Sequence, residues 1–179
     1  MLLLRDAHNK KTRTVVEKAF ITNSAAQTRS LGRKLGQLLD AGDWIGLSGD
    51  LGAGKTCFTQ GVARGLGVDP NLPIVSPTFV IVQNYPGRIP LVHLDLYRVS
   101  ALRELDDIGY EELYEGEGVC VVEWCERVKE TIPRRGLLIM IEILDARTRR
   151  LILRALDQRG RQLIEELSAV SRRRRKTVR

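Results

Sequence analysis

A chain of 179 residues is long enough for one domain with a sizeable core and short for two. With 43% hydrophobic and 28% charged residues it has a globular balance, and no apolar run approaches the ~20 residues that a membrane-crossing helix needs. The net charge of +7 suggests nucleic acid until it is divided along the chain, when it moves to the two ends.

Residues 1–18 hold five basic and two acidic side chains, and the opening MLLLRDAHNKK has only three leucines before charge interrupts them. A secretory leader needs roughly 7–15 apolar residues there, so a cytoplasmic protein is expected. The last nine residues, SRRRRKTVR, hold six basic side chains and no acid, which leaves residues 19–170 at −2. We therefore expect a basic, flexible extension over 1–18, one domain over 19–170, and a basic, disordered tail over 171–179 that either stays solvated or attracts RNA phosphates. Cys57, Cys120 and Cys125 form no CxxC pair, and His8 and His93 stand at no metal-ligand spacing, so neither disulfide nor zinc is indicated.

In chain order, TVVEKAFIT (14–22) has strand composition, and residues 24–42 follow with Leu31, Leu35 and Leu38 at helical spacing. Ser24 with Gln27 fits a capping box. DWIGLSG (43–49) reads as a buried strand entering a glycine loop, and KTCFTQGVARGLG (55–67) as the helix leaving it. PTFVIVQNYPG (77–87) and RIPLVHLDLYR (88–98) read as a hairpin about a Pro-Gly turn. An acidic, helical stretch follows, and GVCVVEWCE (118–126) is an apolar run closed by an acid, as in a strand buried on both faces. Residues 136–144 and 149–156 suggest a second hairpin, and RQLIEELSAV (161–170) a last helix. The alternation predicts an α/β sandwich, with a central parallel sheet, antiparallel edge strands and helices on both faces.

The chemistry gathers at GDLGAGKT, residues 49–56. Gly49, Gly52 and Gly54 let the backbone turn tightly and offer N–H groups to phosphate oxygens where side chains would collide. Asp50, Leu51, Ala53 and Cys57 belong to the same lining, and the helix beginning near Lys55 adds its positive dipole end. Lys55 reaches the outer phosphates, and Thr56 offers its hydroxyl to Mg²⁺. All eight positions fit the Walker A pattern between a strand and a helix. Magnesium also needs a carboxylate from a neighbouring strand end, for which Asp95 (LVHLD) and Glu123 (VCVVE) are candidates, one for the metal and one to orient water, in either order. No guanine-specific NKxD element follows the loop, so ATP is the expected nucleotide.

With GDLGAGKT, SPTF (76–79), HLDLYR (93–98) and VEW (122–124) in this order, the chain resembles the TsaE family of bacterial ATPases, required for threonylcarbamoyladenosine synthesis on tRNA. The resemblance spans roughly residues 20–155. It implies a P-loop NTPase fold, ATP with Mg²⁺, and association with the TsaD and TsaB proteins, through which tRNA is met indirectly. It also makes Thr78 a switch threonine near the terminal phosphate, and gives Asp95 and Glu123 metal and catalytic roles. Trp124 matches the family's adjacent aromatic, Arg147 an arginine near the nucleotide, and Ser24 and Thr28 a first helix approaching adenine. Cys57 and Cys125 depart from the residues usual at those places without removing a phosphate or metal ligand.

The chain has no arginine-rich lid with which a small-molecule kinase closes over an acceptor, so water is the expected acceptor and a partner the expected beneficiary. The acidic stretch 103–118 would repel tRNA, so it either meets protein or is simply a solvated acidic face. Gly61 and Gly65 weaken their helix by ~1 kcal/mol each, so something must approach that face closely, whether a partner or the domain itself. A small-molecule kinase, or a nucleotide-sensing or RNA-binding accessory protein, remains as an alternative.

Overall fold

The computed structural model describes residues 16–106, 108–110, 112 and 116–173. The basic segments 1–15 and 174–179, and positions 107, 111 and 113–115 of the acidic stretch, lie outside the described residues. In chain order the elements are β1 (Glu17–Thr22), α1 (Ala25–Gly36), β2 (Trp44–Ser48), α2 (Lys55–Gly65), β3 (Val82–Tyr85) and β4 (Leu91–Asp95). They continue with α3 (Arg103–Asp106), β5 (Val119–Glu123), two 3₁₀ turns (Cys125–Arg127 and Lys129–Thr131), β6 (Leu137–Ile143), β7 (Arg149–Ala155) and α4 (Gln158–Arg173). Glu17 and Lys18 are thus already in a strand, and the last helix runs on to Arg173.

The seven strands form one sheet in the order β1-β7-β6-β2-β5-β4-β3. The four central strands run parallel, and the β6–β7, β1–β7 and β3–β4 pairs are antiparallel. The expected architecture therefore holds. All five residues of β5 are buried, because it is central and covered on both faces. Val119 and Val121 pack with α1, α2 and α4, whereas Cys120 and Val122 pack with Trp44, Leu105 of α3 and Val128 beside the 3₁₀ turns. Among the described residues the first face thus carries three long helices and the second only short ones. In β6, buried Leu137, Ile139 and Ile141 alternate with more open positions, the period-two pattern of a strand with one dry face.

The closest helix contact lies between α1 and α2, and it accounts for the two helical glycines. A Cβ on Gly61 would stand 2.2 Å from the Arg29 carbonyl oxygen, and one on Gly65 2.3 Å from that of Arg33. The same holds in reverse for Gly32 against Phe58 and Gly36 against Val62. Four glycines let two backbones touch, so the approach demanded by Gly61 and Gly65 is met within the domain.

Two elements are shorter than their sequence patterns suggest. Helix α1 starts as expected, with the Ser24 hydroxyl accepting from Gln27 N–H at 3.2 Å and Gln27 Oε1 from Asn23 N–H at 2.8 Å. It ends at Gly36, not near 42, because the chain must turn there into β2: Asp43 accepts from Asp40 N–H at 2.8 Å, and Arg159 from α4 clamps the same carboxylate. Leu39 stays in the core without being helical. Likewise the first hairpin strand begins at Val82, after a turn over 78–80 and Ile81 at φ +65°.

Candidate functional site

The glycine loop sits where β2 ends and α2 begins. Gly49 has φ +135°, and a Cβ there would lie 2.4 Å from the Ile141 carbonyl oxygen of the neighbouring strand. Gly54 caps α2 at φ +107°, so no residue with a side chain fits that corner without strain. The helix opens at Lys55, whose neighbours present the first-turn amides that no intrahelical carbonyl takes. Ala53 is fully buried beneath the loop and Leu51 stands 77% exposed above it.

Lys55 is 5% exposed. Its ammonium donates to the carbonyls of Gly49 at 2.5 Å and Asp50 at 3.0 Å, and lies 3.4 Å from the centroid of the Trp124 ring. Burial lowers its pKa from the usual lysine value, against the pull of Glu123, Glu126, Asp95 and Asp50. The loop thus holds its cation in a dry place beside carbonyl oxygens and an aromatic face.

Asp95 and Glu123 are each 2% exposed and face each other as Cα partners at the ends of parallel strands β4 and β5. Glu123 Oε2 accepts from the Thr56 hydroxyl at 2.9 Å. Its Oε1 accepts from Thr59 at 3.2 Å and pairs with His93 Nε2 at 2.8 Å. Asp95 Oδ2 accepts from the hydroxyls of Thr78, at 2.8 Å, and Ser76, and its Oδ1 from Tyr97 N–H at 2.8 Å. Thr56 with Glu123, and Thr78 with Asp95, therefore form two hydrogen-bonded groups that the β4–β5 register sets side by side in one cluster. Of its members, Ser76, Thr59 and His93 were missed as individual positions in the sequence: Ser76 and His93 stood inside quoted motifs without a role, and Thr59 lies one turn beyond the loop.

Trp124 follows Glu123 at φ +60°, a left-handed conformation that costs a tryptophan energy, and its ring meets that of Tyr97 at a centroid distance of 5.0 Å. The strained turn aims the indole over Lys55. Across the loop, Ser24, Thr28 and Arg147 come together with Gly52, Gly54 and Cys57 around a cavity of about 540 Å³. Part of their bonding capacity is already used: Ser24 caps α1, and Thr28 pairs with Thr22 at 2.8 Å. Arg147 N–H donates to Asp145. Its neighbour Arg149 reaches back instead, donating to the carbonyls of Ala53 at 3.0 Å and Gly52 at 3.3 Å, and so braces the loop from β7. Nothing in its spacing pointed to that contact. Cys57 is half-buried; burial raises its thiol pKa, opposed by Arg29, whose guanidinium approaches the sulfur at 3.5 Å.

Among the described residues, no group of three or more His, Cys, Asp or Glu could hold a metal ion. One hydroxyl and one or two carboxylates are too few for a protein-only cation cage, and they are the donor set that magnesium uses when phosphates complete its shell. The donors present thus fit a magnesium–nucleotide pair better than a free metal. Nor is any described helix long and apolar enough to cross a membrane.

A glycine loop joining a parallel strand to a helix, with acids on the adjoining strand ends, defines a P-loop α/β protein. Residues 22–152 match the family model described as threonylcarbamoyl adenosine biosynthesis protein TsaE. Among curated proteins, the tRNA threonylcarbamoyladenosine biosynthesis protein TsaE of Treponema pallidum is 43% identical over 69% of this chain and 90% of its own length. That of Bacillus subtilis is 38% identical over 82% and 91%. The crystal structure of Bacillus subtilis YdiB superposes with a TM-score of 0.78 at 33% identity, covering 89% of this chain and 99% of that one. The chain belongs to the TsaE family, with a role in tRNA threonylcarbamoyladenosine biosynthesis.

Proposed function

We propose that the chain is a Mg²⁺-dependent ATPase that acts on the TsaD–TsaB complex and so sustains formation of threonylcarbamoyladenosine on tRNA. The observation that carries this reading is the pair of strand-end acids beside a strained glycine loop, Glu123 bonded by Thr56 and Asp95 by Thr78. Amides of residues 49–57 and Lys55 bind the phosphates, with Gly49 and Gly54 keeping the backbone clear of them. Thr56 and Glu123 would hold magnesium, since their oxygens already point at each other; Asp95, on the next strand end, would orient water or complete the metal's shell. Bound there with the nucleotide, the metal would offset charge on the outer phosphates. Trp124 and Tyr97 exclude water from the ammonium of Lys55, which strengthens its attraction for an anion. Ser24, Thr28 and Arg147 border the cavity where the adenosine would lie.

The benefit of hydrolysis falls to a partner. Thr78 is tied to Asp95, while the adjacent Phe79 and Val80 stand 86% and 63% exposed. A segment that feels the terminal phosphate thereby also presents apolar surface outward, as a coupling element to another protein needs. The test is ATP consumption with and without purified TsaD, TsaB and tRNA. We expect slow turnover alone, stimulation by TsaD–TsaB, and loss of both in Lys55→Ala. Threonylcarbamoylation of tRNA that cycles equally well without this chain, or with Lys55→Ala, would overturn the reading.

A further inference from the structure

The sequence left His93 as an isolated histidine. In the fold it is 0% exposed, on β4 two residues before Asp95, with Nε2 at 2.8 Å from Glu123 Oε1 across the strand pair. A carboxylate has no proton to give, so the imidazole Nε2–H donates. The other ring nitrogen, Nδ1, is buried without a hydrogen-bond partner. A buried imidazole that satisfies only one of its two nitrogens is a poor stabilising choice, because an apolar side chain would fill the same space with no polar atom to desolvate. Its one polar contact is therefore the reason for its presence. The Thr59 hydroxyl, one helical turn after Lys55, shares its single proton between the same oxygen at 3.2 Å and the Lys55 carbonyl at 3.1 Å, while Thr56 donates to Oε2.

We infer that His93, assisted by Thr59, is the positioning residue for Glu123: the two donors saturate Oε1 and lock the carboxylate's orientation, leaving Oε2 directed at Thr56 for the metal. This rests on the proposed Mg²⁺-dependent ATPase. A singly anchored carboxylate would rotate and would have to be ordered at each binding event. Two buried donors order it in advance, and partners behind a metal ligand are commonly worth 10–100-fold in metal affinity.

The experiment titrates Mg²⁺ against a fluorescent ATP analogue bound to the full chain, with ATP consumption followed in parallel. His93→Leu should raise the half-saturating Mg²⁺ concentration about 10–100-fold. Its affinity for the analogue without Mg²⁺ should stay within about twofold, which a general loss of structure would not allow. His93→Gln, whose amide N–H reaches a similar distance, should recover most of the loss. Thr59→Val, nearly the same shape without the hydroxyl, should give a smaller shift in the same direction. A folded His93→Leu with an unchanged half-saturation point overturns the inference and leaves the ATPase reading standing. If His93→Leu does not fold, an unshifted Thr59→Val overturns it, and a shifted Thr59→Val beside a near-normal His93→Gln supports it. A wild-type chain whose nucleotide binding ignores Mg²⁺ removes the ATPase reading, and this inference with it.

Discussion

At the scale of single residues, the site keeps a charge where charge is costly. Burial outweighs the four nearby acids and lowers the Lys55 pKa, so at high pH the folded chain binds fewer protons at this position than the unfolded one. The cost is therefore present in full below the folded pKa and disappears as pH rises past the unfolded value near 10.5. Lys55→Met should then match or exceed the wild-type melting temperature at neutral pH while losing ATP hydrolysis, and its advantage should shrink toward pH 10.5. Thermal unfolding across pH checks this; a methionine variant that melts lower at pH 7 would refute it. The three thiols make a second comparison. Cys125 is pushed up to about 12 by burial, and buried Cys120 is raised as well, while Cys57 is half-buried at the rim of the loop. Iodoacetamide should modify Cys57 first and slowly, faster as pH rises, with Mg-ATP protecting it. Peptide mass spectrometry that finds Cys120 or Cys125 alkylated in the native chain before Cys57 would contradict the packing described.

At the scale of elements, the α1–α2 pair shows how far local signals reach. Gly61→Ala gains about 1 kcal/mol of helix propensity, yet its Cβ would meet the Arg29 carbonyl at 2.2 Å, and carbonyl oxygens on a packed helix cannot step aside. Overpacking of this kind typically costs about 1–3 kcal/mol, so we expect net destabilisation in urea unfolding, with an unchanged or raised midpoint as the contrary result. The sequence announced that the face of α2 was approached, but Gly61 and Gly65 alone look the same whether the visitor is a partner or α1. Only pairing them with Gly32 and Gly36 decides it, and that pairing is tertiary. The glycine loop and the acid-ended strand β5 were legible because each is a contiguous pattern with one physical reading. Arg149 was not, since its carbonyl partners lie 96 and 97 residues away and no periodicity links them. His93 was given no role of its own for a related reason: spacing tests look for metal ligands, whereas its contact is with Glu123, 30 residues on, across a strand pair. Trp124 packs against the second core while its ring meets the ammonium of Lys55, two contacts that no local pattern around residues 122–124 announces.

At the scale of the whole molecule, the last helix is fastened to the start of β2 by Arg159. Its guanidinium donates to both oxygens of Asp43, to Asp40 and to the Leu38 carbonyl, and Asp43 is only 8% exposed. Arg159→Ala should leave that carboxylate short of partners and cost about 1.5–3 kcal/mol, measured by denaturant unfolding, with little change in nucleotide affinity because the pair lies outside the loop cluster. Beyond this helix the sequence continues with RRKTVR, four basic residues and no acid. If the chain acts through its nucleotide site on a protein complex, deleting residues 174–179 should leave ATP hydrolysis alone and with TsaD–TsaB within about twofold of the full chain, since every group proposed for that chemistry lies between Ser24 and Arg149. If it acts as an RNA-binding accessory, the same deletion should abolish tRNA modification while hydrolysis survives, and the tRNA binding that remains should depend less steeply on salt, because each phosphate contact removed takes its share of counterion release with it. Glu123→Ala separates the readings from the other side: it should stop modification in the first case and leave it running in the second. Measuring both variants in one reconstituted assay places the triphosphate either at the centre of this protein's work or beside it.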